Sequence, residues 1–214
     1  MNEQVTVFGA NGRVGRLVVA ELVNRGYAVV AFVHNSSQFV ETPRLHIVSG
    51  DIYNAQDVEK ALDGSSAVIS ALGSWGTPMK NILTVGMKHI IPAMEARSLS
   101  TIISLTGADA RVSGDMLGLI HKISYPFLAA FMGRILADGE RHITLLEKSD
   151  LDWTVIRSPI MLKRTPNHDR YTLDVRRPFP WQTVPYRLVA LAMVNSLQDR
   201  TWSKEAPFIS WRPW

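Results

Sequence analysis

Short apolar runs and amphipathic helical segments alternate along most of this chain. Val5–Gly9 is a compact apolar run closed by glycine. Gly12 to Arg25 then puts Val14, Leu17, Val18, Leu22 and Val23 on one helical face, and Gly26 supplies the stop. Tyr27–Val33 is almost wholly apolar, as a strand covered on both faces of a parallel sheet must be. Leu45–Ser49 predicts a third strand, followed by a short helix around Asp57–Leu62 and the turn Asp63-Gly64. Ala67–Leu72 predicts a fourth strand ending at Gly73. A longer helix is expected from about Asn81 to Arg97, kinked by Pro92, before a fifth strand at Thr101–Leu105. A helix near Ile135–Lys148 then leads to a sixth strand, Leu151–Ile156.

Six strand units separated by helices predict an α/β fold, a single-domain doubly wound parallel sheet with helices on both faces. No internal repeat or low-complexity linker divides the chain, so residues 1–214 read as one domain. Beyond the sixth strand the pattern loosens. Residues 157–184 are rich in proline and arginine (Pro159, Pro166, Pro178, Pro180) and read as loop with short extended pieces. Pro185 opens an apolar helix, Tyr186–Leu197, and Ala206–Trp211 is expected as a final edge strand. Ligands of such folds lie over the carboxyl ends of the strands, so 107–134 and 157–184 are expected as loops covering the substrate.

Composition narrows the chemistry. The chain has 46% apolar and 20% charged residues over 214 positions, an ordinary globular balance that excludes disorder and coiled coil. It has no cysteine, which removes disulfides, thiolate metal sites and cysteine nucleophiles. The start MNEQVTVFGANG carries neither a basic nor an apolar leader region, and no apolar stretch reaches 18 residues. A soluble cytoplasmic protein with no membrane partner is expected. The formal charge of +4 comes wholly from residues 108–214, which hold 15 basic and 11 acidic side chains against 8 and 8 before them. Arg157, Lys163, Arg164, Arg170, Arg176, Arg177 and Arg187 face only Asp169 and Asp174 within their segment; a solvated surface or an anion site would each account for them. No basic helix face or aromatic–basic interleaving suggests nucleic acid.

The densest chemical signal is Gly9-Ala10-Asn11-Gly12-Arg13-Val14-Gly15, running from the first strand into the first helix. Gly9 suits the tight turn, Gly12 lets the backbone approach a pyrophosphate, and Gly15 permits close helix–strand packing. The helix start offers free N–H groups and partial positive charge to that anion. At the end of the second strand stands Val33-His34-Asn35-Ser36-Ser37, where a protein selecting NAD usually presents a carboxylate to the ribose. With no carboxylate there and with Arg13 nearby, NADP(H) is expected over NAD(H).

These features resemble an atypical short-chain dehydrogenase/reductase of the NmrA-like and biliverdin-IXβ/flavin reductase branch. The resemblance is carried by the glycine turn, Gly50-Asp51-Ile52, Ala71-Leu72-Gly73, Ser104-Leu105-Thr106-Gly107 and the run from Ser149 to Pro159, and it spans essentially the whole chain. It implies a Rossmann fold in which Asp51 and Ile52 meet the adenine, and Ala71, Leu72 and Gly73 line the ribose and nicotinamide path. It further implies that Thr106, Ser158, Pro159 and Ile160 flank the nicotinamide. The chain also departs from the pattern. None of Tyr27, Tyr53, Tyr125, Tyr171 and Tyr186 has lysine four residues on, so the Tyr-x-x-x-Lys proton donor is missing. Thr106-Gly107 stands where the flavin and biliverdin reductases have Thr-Ser, and His34 stands in place of their arginine.

The expected function is therefore an NAD(P)H-dependent oxidoreductase passing hydride to a flavin, quinone or similar planar acceptor, with Thr106 the one candidate catalytic residue. The alternative is a non-catalytic NADP(H)-sensing protein that acts through a protein partner; an epimerase or dehydratase would need the missing tyrosine. Six scattered histidines offer no metal-ligand spacing. Asp138-Gly139-Glu140-Arg141-His142 is expected to open a helix, with carboxylates favoured by its dipole. Trp202, Trp211 and Trp214 are expected to cap the core. The apolar segment Met116–Met132 fits a lid over a flat substrate, a homodimer surface or plain core, and the chain is expected as monomer or homodimer.

Overall fold

The computed structural model describes residues 3–34, 37–75, 77–112, 115, 118–166, 168–179 and 181–212. Its main sheet is built from β1 (Gln4–Phe8), β2 (Ala28–Val33), β3 (Leu45–Ser49), β4 (Ala67–Ser70), β5 (Thr101–Gly107), β6 (Asp152–Ser158), β8 (Thr172–Asp174) and β10 (Phe208–Ser210). β7 (Ile160–Leu162) and β9 (Thr183–Pro185) form a separate parallel pair. The spatial order is β3-β2-β1-β4-β5-β6-β10-β8, parallel throughout except for β8 against β10. α1 (Arg13–Asn24) and α5 (Tyr186–Asn195) pack together over one face, while α2 (Ala55–Ala61), α3 (Ile82–Glu95) and α4 (Leu119–Glu147) cover the other. The doubly wound parallel sheet is as expected.

Alternation along β1 shows how one sequence serves two layers. Val5 and Val7 join the core beneath α1 and α5, with Val14, Val18 and Leu22. Phe8 points the other way and meets Phe32 with ring centroids 5.1 Å apart, in the core beneath α2, α3 and α4. Leu22 is wholly buried, so Leu22→Ala costs about 2–5 kcal/mol. The chain reverses its winding between β1 and β4, and the crevice of such a switch point opens at the carboxyl ends of those strands.

Four expectations change. The final strand is not an edge: β10 sits between β6 and β8, because residues 172–174 fold back antiparallel and Thr172 Oγ1 lies 2.6 Å from Ser210 Oγ. The fourth helix is far longer than 135–148, absorbing much of the expected loop 107–134. It runs 29 residues, contains Pro126, and leaves helical geometry at Met132 (φ −128°, ψ 17°). α3 passes through Pro92 without such a break; the residue lies in the last turns, where few hydrogen bonds remain to be lost. Asp138 therefore lies mid-helix, not at a helix start.

Candidate functional site

The glycine turn is shaped by backbone contact. Gly9 has φ +73°, and a Cβ there would lie 2.7 Å from the Ala71 carbonyl, so the turn can press against the end of β4 only with glycine. A Cβ on Gly15 would come within 2.1 Å of the Gly9 oxygen, the close helix–strand approach its position predicts. Gly12 donates its N–H to Gly9 O at 2.9 Å and caps α1 without a side chain. The first turn of α1 has no acidic residue and no side-chain cap. The N–H groups of Arg13, Val14 and Gly15 thus start a helix dipole with no acidic side chain in their own turn. This donor set fits a pyrophosphate, and Gly12 adds no side chain to fill the space beside it.

The other sequence-predicted residues gather around the same crevice. Asn11 takes a 3.5 Å hydrogen bond from Ser37 Oγ. His34, ending β2, faces Asp51 across 3.9 Å, and Asp51 receives the Tyr53 N–H at 2.9 Å. A carboxylate therefore does stand beside the end of β2, supplied by the loop after β3. Asn35 and Ser36 lie outside the described residues. Ile52 is buried and its carbonyl lies 2.8 Å from His89 Nδ1, which ties the loop to α3. Ala71 donates its N–H to Phe8 O, continuing the β1–β4 ladder by one residue. Leu72 is buried, while a Cβ on Gly73 or Gly107 would meet nothing within 4 Å, leaving an open path over the strand ends. Ser158 is buried and its carbonyl accepts from Ala108 N, joining the ends of β5 and β6 ahead of Pro159 and the exposed Ile160.

Arg13 is the exception among the glycine-turn residues. Its guanidinium donates to Tyr186 Oη at 2.9 Å and lies over that ring, turned toward α5. The basic run 157–187 is also largely spoken for. Arg157 is buried over the Phe208 ring, donating to Ala206 O at 2.7 Å and to Asp115 at 2.5 Å. Arg177 pairs with Asp109 at 2.5 Å, and Arg187 with Asp169 at 2.8 Å. Arg157 and Arg177 are buried structural cations, whereas Arg187 and Asp169 form a surface pair, part of the solvated face that the sequence allows. His121 Nε2 lies 3.2 Å from Pro178 O, so with Arg177–Asp109 the segment after β5 is held to the one before β9.

Beneath this region lies a polar layer that residue spacing did not reveal. Asp138 is buried, and its carboxylate accepts from Ser74 Oγ, Leu83 N (3.1 Å) and Thr84 N (2.9 Å). It caps α3 from a neighbouring helix, where Asn81 gives no side-chain cap of its own. One turn on, His142 is fully buried with Nε2 2.8 Å from Ser104 Oγ, and burial pushes its pKa down to about 4. Thr106 is buried against Gly139, where a Cβ would lie 2.6 Å from its hydroxyl oxygen. The signal in the sequence was available: Asp138 and His142 fall on the same helical stripe as Ile135 and Ile143, which marks them as inward-facing.

Tyr125, on α4, donates to Glu140 at 2.8 Å beneath the Arg111 guanidinium. Burial and that hydrogen bond raise its pKa, the opposite of what a proton donor poised near neutral pH requires. The apolar first half of α4 is not core. Ile123, Phe127 and Phe131, one turn apart, are 60%, 68% and 88% exposed, while Met116 and Leu117 lie outside the described residues. Phe179 and Trp181 stack with centroids 5.1 Å apart and stay largely exposed beside the β7–β9 pair. Trp211 is buried as expected, Trp202 is half-buried, and Trp214 lies outside the described residues. Among the described residues no helix is long and apolar enough to cross a membrane.

Comparison with known proteins places this geometry. A short-chain dehydrogenase/reductase from Veillonella parvula, solved with NADP, matches with a TM-score of 0.78 at 17% identity, over 99% of this chain and 95% of that one. An anaerobilin reductase from Escherichia coli O157:H7 matches with a TM-score of 0.79 at 17% identity, over 97% and 96%. These likenesses show a Rossmann-like fold, a mostly parallel sheet with helices on both faces. An uncharacterized chloroplastic protein of Arabidopsis thaliana is 28% identical over 208 residues, covering 91% of this chain and 72% of that protein. A model of the family described as NAD(P)H-binding matches residues 9–200, from the first glycine of the turn to the end of the sheet's last crossover, and the chain belongs to that family.

Proposed function

We propose that the protein is an NAD(P)H-dependent reductase that delivers hydride to a flat conjugated acceptor such as a flavin or quinone. The observation that carries the proposal is the uncapped, acid-free first turn of α1 over the Gly9–Gly12–Gly15 turn, opening onto the strand ends. When bound, the dinucleotide supplies the hydride itself. The chain's work is to hold and orient. The Arg13, Val14 and Gly15 N–H groups take the pyrophosphate; Asp51 and Ile52 take the adenine. Ala71, Leu72 and Gly73 line the path, with Thr106, Ser158, Pro159 and Ile160 around the reacting ring. The buried Thr106 hydroxyl is the group best supported to touch the reacting centre. The exposed Phe179–Trp181 stack beside β9 favours a flat acceptor, which gains by stacking on aromatic faces.

NADP(H) is proposed over NAD(H). β2 itself ends without a carboxylate, and His34 with Arg13 can approach a ribose phosphate once Arg13 leaves Tyr186. The Asp51 carboxylate near His34 limits the preference to a modest one. The test mixes purified protein with NADPH or NADH and then FMN or menadione, following the nicotinamide absorbance. Consumption faster with NADPH is expected. NADPH binding with no consumption across flavins, quinones and carbonyls would transfer the assignment to a second reading, an NADP(H) sensor acting through a protein partner. That reading is favoured by Tyr125, locked to Glu140 with a raised pKa, and by the missing Tyr-x-x-x-Lys.

A further inference from the structure

On the α3–α4 side of the strand ends, a groove of about 410 Å³ lies between the loop before α3 and the middle of α4. Pro78, Met79 and Ala137 give it apolar walls, and Lys80, Arg134 and Arg141 ring it with positive charge. Arg134 and Arg141 are exposed, and none of the three cations is ion-paired among the described residues. This contrasts with Arg157, Arg177 and Arg187, each of which has its aspartate. Lys80 is held in place: its ammonium donates to Thr77 O at 2.6 Å and Ser74 O at 3.2 Å, leaving one donor for a ligand. Among the described residues no acidic side chain lines the groove. Asp138, on the same helix as Arg134 and Arg141, is buried and already occupied by Ser74 and the first N–H groups of α3.

The groove meets the proposed cofactor path at its Lys80 end, while Ala137 and Arg141 lie on a different face of α4 from Gly139, which backs onto Thr106. Lys80 bonds the carbonyl of Ser74, the residue after Gly73 on the cofactor path. A ligand lying over Gly73 at the strand ends can therefore reach Lys80, and the groove behind it, with an arm.

We infer that Lys80, Arg134 and Arg141 bind an acidic arm, a phosphate or carboxylate, carried by the flat acceptor. This rests on the reductase reading for the acceptor's identity, but the binding itself is measurable without turnover. Two guanidinium groups and an ammonium, with apolar walls between them, select an amphiphilic anion over a neutral flat molecule.

The test titrates FMN, which carries a phosphate, and riboflavin, which does not, into the NADP-loaded protein, reading binding by flavin fluorescence. Wild type is expected to bind FMN about tenfold more tightly than riboflavin. The exposed pair Arg134→Gln with Arg141→Gln should erase that difference, leaving riboflavin and NADPH affinities within about twofold, and a melting curve confirms folding. Equal affinity for both flavins in wild type overturns the inference. So does parallel loss of NADPH affinity in the variant, which would assign the groove to the cofactor. Inorganic phosphate binding as tightly as FMN overturns the arm in favour of a free-anion site. The reductase reading fails separately: FMN-selective binding without NADPH consumption keeps the groove and removes the reaction, whereas consumption without FMN selectivity does the reverse.

Discussion

The two halves of the crevice are built in different ways. On the β1–β4 side, backbone makes the site: Gly9 presses on Ala71, Gly15 on Gly9, and the first turn of α1 has neither a side-chain cap nor an acidic residue. On the β5–β6 side, side chains from distant segments make it: Asp138 caps α3, His142 meets Ser104, Arg157 reaches Asp115 and Arg177 reaches Asp109. In the proposed reductase the first half meets a feature common to all dinucleotides, and Gly9 and Gly15 are too crowded to take a side chain. The second half is the supporting layer behind the side proposed for the acceptor.

The largest expected effect tests the supporting layer. Asp138→Ala removes three hydrogen bonds to one buried carboxylate, leaving two α3 N–H groups unmet, and should cost about 3 kcal/mol in denaturant unfolding. A loss under about 1 kcal/mol would mean α3 finds another cap and the layer is not what holds this side.

His142 gives the layer a pH signature. Its pKa is lowered from 6.5 in the unfolded chain to about 4 in the folded one, so the unfolded state takes up the proton first as pH falls. Its contribution is complete above pH 6.5 and declines by about 1.4 kcal/mol per pH unit toward pH 4, with no further loss below. His142→Gln should flatten the stability profile across that window; an unchanged slope would assign the acid sensitivity to other groups.

On the cofactor side the expected changes are smaller. His34→Ala should weaken NADPH binding about fivefold while leaving NADH nearly unchanged, since an exposed charge contact contributes about 1 kcal/mol. Equal losses for both nucleotides would remove His34 from phosphate recognition. Smallest of all is Phe131→Ser, which should alter stability by less than about 0.5 kcal/mol because that residue is 88% exposed. A cost above 1.5 kcal/mol would return the first half of α4 to the core.

The contrast also explains what could be read from residues alone. The glycine turn announces itself because its chemistry is local: three glycines within seven positions, between a strand and a helix, state their contacts in their spacing. The strand order around it follows from alternation and handedness. Arg157 and Arg177 looked like surface charge because their aspartates lie 42 and 68 residues away, beyond any pattern of spacing. Asp138 was expected at a helix start because carboxylates suit a helix dipole there, whereas α4 begins at Leu119 and Asp138 instead caps the neighbouring α3. The groove of Lys80, Arg134 and Arg141 was equally hidden, since its cations meet only after α3 and α4 have packed.

The central claim is that the Gly9–Gly15 turn holds a nicotinamide dinucleotide, and the direct measurement is a calorimetric titration of wild type and Gly12→Val with NADPH. A Cβ on Gly12 would lie 3.1 Å from Gly9 O, a contact that small shifts relieve, so the variant should fold while its isopropyl group fills the space the pyrophosphate needs. The account predicts micromolar or tighter binding by wild type, on the order of 8 kcal/mol, and none detectable by the folded variant. Equal affinity in the two proteins would contradict it.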